Sequence, residues 1–91
     1  MNSLSTGATA PEPNRLHCFH IVADPCPQAL LRILGLIAQN SLIPLSVVCE
    51  RHQDRLHAKI ALYGVSPARA GILLAKIAMI VTVRDAHMTA A

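Results

Sequence analysis

Aromatic side chains are almost missing: the 91 residues hold Phe19 and Tyr63 and no tryptophan. A core must therefore be assembled from Leu, Ile, Val and Ala. These are plentiful, since hydrophobic residues make up 53% of the chain, a share that excludes a disordered polymer. The same scarcity weighs against RNA recognition by base stacking on sheet aromatics, because Phe19 alone stands on a candidate central strand. Acidic residues are also few, five against eight Lys and Arg, for a formal net charge of +3. The basic residues are scattered and form no run. The stripe that marks a nucleic-acid footprint is absent, and the mild basicity reads as a solubility term.

Cysteine is limited to Cys18, Cys26 and Cys49, an odd number without CxxC spacing. That excludes a disulfide framework and a zinc knuckle, and free thiols fit a reducing cytosol. No phosphate loop, HExxH, GxSxG or pair of catalytic carboxylates is present. No enzyme, metal or cofactor is expected. The first fourteen residues lack a basic n-region and an apolar h-region, so they do not read as a secretory signal. The longest apolar window, Ala70 to Val83, is too short to span a bilayer and contains Lys76. The expectation is a cytoplasmic protein without membrane or nucleic-acid partners.

Residues 1–14, rich in Ser, Thr, Ala and Pro, read as a disordered tail. A single domain follows over 15–88, and 89–91 read as a frayed end. Arg15 to Ala23 alternates as a strand, with Leu16, Cys18, His20 and Val22 on one face and His17, Phe19, Ile21 and Ala23 on the other. Asp24-Pro25-Cys26-Pro27 opens a helix over Gln28 to Asn40, whose stripe is Leu30, Ile33, Leu34, Ile37 and Ala38. Leu45 to Arg51 and Arg55 to Tyr63 form a hairpin about His52-Gln53-Asp54. Leu56, Ala58, Ile60 and Leu62 face the helices; His57, Lys59 and Ala61 face away. Ser66 and Pro67 start a second helix, Ala68 to Ala78, with Ala70, Leu73, Leu74 and Ile77 inward. Ile80 to Ala86 is the last strand, and the chain is expected to fray from His87.

The order βαββαβ predicts an α+β ferredoxin-like sandwich: a four-stranded antiparallel sheet in the order 4-1-3-2 with both helices on one face. The opposite sheet face is left bare. Phe19, Ile21 and Ala61 are expected there, forming the seam of a homodimer.

Two segments carry a family resemblance. Asp24-Pro25-Cys26-Pro27-Gln28-Ala29-Leu30-Leu31-Arg32-Ile33-Leu34 is similar to the opening D-x-P-G-x-L-x-R-I-L of the ACT domain. Ala75-Lys76-Ile77-Ala78-Met79-Ile80-Val81-Thr82-Val83 is similar to its close, L-x-K-L-x-x-V-x-x-V. The chain most resembles the short, single-domain form of the small regulatory subunit of acetolactate synthase. The resemblance implies a dimer with side-by-side sheets, an amino-acid ligand at the seam, and a catalytic chain regulated in trans. It implies ligand contacts from Asp24, Cys26, Gln28, Ala29 and Leu30, with Leu42 and Ile43 after the first helix. A helix N-terminus offers unpaired N–H groups to a carboxylate, here from Gln28, Ala29 and Leu30. Two departures bear on ligand binding. Gln28 replaces the family's glycine, and Ser41-Leu42-Ile43-Pro44 lacks the family's ligand-contacting Asn. A dimerisation or docking module without a ligand is therefore one alternative. An acylphosphatase-like hydrolase is another, disfavoured because Asp24 to Pro27 offers no anion-gripping Arg.

Other constellations have plainer readings. Cys18 and His20 share a strand face that Cys49 can approach, a three-ligand zinc set, yet they read as packing residues. His17 and His57 are expected on the open face as surface or seam histidines. Cys26 sits at a helix start without a neighbouring base and reads as an ordinary loop thiol. Arg51, Asp54 and Arg55 read as a solvated hairpin tip.

Overall fold

The computed structural model describes residues 16–90, so the expected 1–14 tail lies outside the described residues. Six elements follow in order: β1 (His17–Ala23), α1 (Ala29–Gln39), β2 (Ser46–His52), β3 (Arg55–Leu62), α2 (Pro67–Ala78) and β4 (Val83–Ala90). The sheet runs β2-β3-β1-β4, every neighbouring pair antiparallel. This is the ferredoxin-like βαββαβ sandwich that the alternation and helical periods predict.

The helix-facing side of the sheet carries the core. Phe19, Ile21 and Ala23 of β1 and Ala58, Ile60 and Leu62 of β3 are buried against Ala29, Ile33 and Ile37 of α1 and Ala70, Leu73 and Ile77 of α2. Burying each large aliphatic chain contributes about 1.5–3 kcal/mol, and here aliphatics provide nearly the whole core. On α1 the stripe is rotated slightly from expectation: Ala29 is buried and Ala38 is exposed.

One expectation about the sheet faces is corrected. Phe19 and Ile21 do not line the open face; they are 0% and 2% exposed, beneath the helices. Phe19 lies opposite Ile60, and cross-strand partners share a face. As the bulkiest side chain of an aliphatic core, Phe19 belongs in its interior. Ala61, opposite Cys18, does lie on the open face and is half-buried. His17 also departs from expectation. It shares the face of Phe19 and is 3% exposed, so it does not meet His57 on the open side.

The last strand is displaced by three residues. Ile80 to Thr82 form a turn in place of the strand start, because the N–H groups of Met79, Ile80 and Val83 bond back to Lys76, Ile77 and Ile80 carbonyls. Pairing begins at Val83 and continues past the expected fray point, His87, to Ala90, which lies opposite His17.

Local chemistry explains the joints. Ser66 caps α2 by accepting a hydrogen bond from Arg69 N–H at 3.2 Å, with Pro67 at the first helical position. Gly64, at φ +84°, makes the turn out of β3 that an L side chain would resist. The β2–β3 loop is Gln53-Asp54, with Gln53 at φ +57°. No helix among the described residues is long and apolar enough to cross a membrane.

Candidate functional site

The loop between β1 and α1 is pinned at the top of the sheet. Asp24 N–H donates to Thr82 O at 2.8 Å, and Asp24 O accepts from Cys26 N–H at 2.7 Å. The Asp24 carboxylate receives Arg84 Nε at 2.8 Å, with Arg55 Nη1 at 3.9 Å. The hydrogen-bonded Arg84 guanidinium is the main cause holding this carboxyl below the usual aspartate range, and Arg55 adds a smaller pull. Asp24 therefore ties β1 to both of its neighbours, β4 and β3. Both arginines meet the same oxygen, Oδ1.

Of the three backbone donors expected at the helix start, Ala29 N–H is used, donating to Cys26 O at 3.0 Å. Ala29 is fully buried, whereas Gln28 is exposed and Leu30 and Cys26 are half-buried. Asp24, Cys26, Gln28 and Leu30 thus form one cluster. Leu42 and Ile43 do not join it. They follow the C-terminal end of α1, and an eleven-residue helix separates the two groups by about 16 Å. Leu42 N–H bonds to Ile37 O and its side chain packs on the core, while Ile43 is 87% exposed. Within one chain the expected site is split in two.

The remaining cysteines do not meet. Cys18 stands on the open face, while Cys49 lies opposite Ala58 on the helix face and packs on the core. The zinc set of Cys18, His20 and Cys49 is therefore divided by the sheet itself. Among the described residues no group of three or more His, Cys, Asp or Glu is placed to hold a metal.

The open face carries a cluster that the sequence alone did not disclose. His20 and His87 stack with ring centroids 4.9 Å apart, and His52 and His57 meet edge-on at 5.1 Å. His20 bonds to Thr89 Oγ1 at 3.2 Å, His52 to Glu50 at 3.0 Å, and His87 lies 3.4 Å from Asp85. With Val22, Val48 and Lys59 they line a shallow trough of about 570 Å³. The missing signal was register. Once β4 begins at Val83, His87 falls opposite His20; a strand over Ile80 to Ala86 leaves it beyond the sheet.

A family model for the ACT-like domain matches residues 11–91. Solved structures with the same fold include the ACT domain of a GTP pyrophosphokinase from Chlorobium tepidum. It has a TM-score of 0.74 at 13% identity, over 84% of this chain and 99% of that one. The C-terminal domain of the MgtC protein from Mycobacterium tuberculosis matches with a TM-score of 0.70 at 17% identity, over 91% and 94%. The regulatory subunit of aspartate kinase from Thermus thermophilus, in a ligand-free form, matches with a TM-score of 0.67 at 9% identity, over 86% and 52%. No curated protein matches the sequence. With the family model spanning nearly all of a βαββαβ chain, the protein belongs to the ACT-like domain family.

Proposed function

We propose that the chain is a regulatory module that pairs with a second copy, binds a small amino acid at the seam, and acts on a catalytic chain in trans. The observation that carries this reading is the exposed β2 edge set beside a split site. Among the described residues β2 pairs only with β3, and Val47 and Val48 on it, with Leu45 and Ile43 before it, are exposed by 40% or more. An apolar, unpaired edge is a template for another strand.

Strand directions explain how such a pairing would complete the site. β1 and β2 are both antiparallel to β3 and so run the same way, while α1 runs back between them. Leu42 and Ile43 therefore sit at the foot of the sheet and Asp24 to Leu30 at its head. Antiparallel pairing of two β2 strands about a two-fold axis turns foot to head. Leu42 and Ile43 of one copy then reach the level of Asp24 to Leu30 of the other. The seam belongs to this edge, and not to Phe19 and Ile21.

The finer reading is a small subunit of acetolactate synthase, with a branched-chain amino acid as ligand. The opening and closing segments that resemble that family support it. The module is read as non-catalytic, since Arg55 and Arg84, the cations beside the first loop, are both turned on Asp24. The test is a thermal-shift screen against valine, leucine, isoleucine and the other common amino acids. A true ligand at a hundred times its dissociation constant adds about 2.7 kcal/mol, a midpoint rise on the order of 10 °C or more in a domain this size. A flat response would sink ligand binding and favour a docking module without a ligand. The engaged Ala29 N–H and Asp24 carboxylate already point toward that second reading.

A further inference from the structure

The two helices share an unusual charge pattern. None of the five acidic residues lies between Asp24 and Glu50 or between Asp54 and Asp85, so α1 and α2 carry cations only. Of these cations, Arg69 is committed to Asn40 O at 3.0 Å. Arg32 and Lys76 make no ion pair with any described residue. They flank a groove of about 390 Å³ between the helices, floored by Gly35, Leu36 and Ile80 and bordered by Gln39 and Met79.

The groove continues into apolar surface. Leu31, one turn before Gly35, is 64% exposed; Ile72, one turn before Lys76, is 59% exposed; Met79 is 83% exposed. Gly35 has no packing reason to be glycine. A Cβ there would meet nothing within 4 Å, and a mid-helix glycine weakens the helix. What glycine does at this position is keep the groove floor low.

We propose that this groove is a docking surface for an acidic amphipathic helix of a partner protein. Such a helix lays apolar anchors at i, i+3 and i+4 spacing between Leu31, Ile72 and Met79, and its carboxylates meet Arg32 and Lys76. A second copy of the same face is a poor occupant, because it brings only like charge. A flat anionic membrane would leave the concave floor at Gly35 unfilled. The inference rests on the reading that the chain acts on a partner in trans, and it is independent of whether an amino acid binds at the ends of α1.

The probe is a synthetic amphipathic peptide of about 18 residues, five turns of leucine-faced helix with glutamates elsewhere. It is titrated into the full chain and followed by amide NMR shifts. The expected result is saturable binding, with shifts at Leu31 to Gln39 and Ile72 to Ile80. R32E/K76E should weaken it by about tenfold or more and should bind the lysine version of the peptide instead. Gly35→Leu should fill the groove and abolish binding while the melting temperature stays level or rises, which separates blocked docking from failed folding. No saturation below about 1 mM, equal binding of the lysine peptide to the unaltered chain, or unchanged binding by Gly35→Leu would overturn the proposal. So would binding to phosphatidylglycerol vesicles without binding to the peptide. Failure of the amino-acid screen leaves these readouts untouched, so the two readings fall separately.

Discussion

A single carboxylate closes the head of the sheet. Asp24 is the first residue after β1, and its Oδ1 reaches both Arg84 on β4 and Arg55 on β3. Because the Arg84 contact lowers its folded pKa, its contribution to stability is full above the ordinary aspartate value of about 3.9 and is lost as pH falls through the lower folded value. Asp24→Asn should therefore lower the melting temperature at neutral pH, and the gap to the unaltered protein should close in acid. A gap that persists at the acid end would show that the effect is steric. Phe19 offers a sharper test, since it is fully buried in a core with no other aromatic. Phe19→Ala should cost about 3–5 kcal/mol by urea denaturation. A cost under about 1 kcal/mol would place it at a surface after all. Ile21 carries the same lesson: an aspartate there would unfold the core, so it cannot report on a seam.

Among the elements, α2 depends on its cap. Ser66→Ala removes the acceptor for Arg69 N–H and should cost about 1 kcal/mol, read as a lower denaturation midpoint with an unchanged slope. The sequence made α2 legible because Ser66-Pro67 marks its start and Ala70, Leu73 and Ile77 keep a helical period. The β2–β3 hairpin was equally plain from alternation and its polar turn. Legibility failed where two periods overlapped. Ile80-Val81-Thr82-Val83 is an apolar, β-branched run, and propensity alone reads it as strand. The N–H groups of Ile80 and Val83 instead satisfy a turn, and the strand starts later. That shift hid the histidine cluster. On β1 both faces are apolar enough to be core, so alternation separated the two sets of residues without saying which set faced the helices. The candidate site was half legible. Pro25 and Pro27 announce the loop at the start of α1, and the helical period already puts Leu42 and Ile43 past its far end, but nothing local says which sheet edge would bring the two groups together.

For the molecule as a whole, the proposed assembly turns on the β2 edge. Val48 is exposed on the open face of that edge and Val47 on the helix face, so a charge at either position blocks strand addition without entering the core. V47K/V48E should turn a dimer into a monomer by light scattering, with the far-UV spectrum preserved. An unchanged dimer mass would move the seam to another surface, and the composite amino-acid site would go with it.

The register of the outer pair has a consequence for how this fold travels between proteins. His17 at the start of β1 lies directly opposite Ala90 at the end of β4, and opposed residues in antiparallel strands stand about 4.5–5.5 Å apart. The entrance and exit of the domain are therefore neighbours. The fold can be spliced into a surface loop of a host enzyme without prising the loop apart. It can also be reconnected through a short bridge and reopened at Gln53-Asp54 as a circular permutant. In either arrangement a pull on one flanking chain is felt at once by the other, because both are anchored through the same pair of strands.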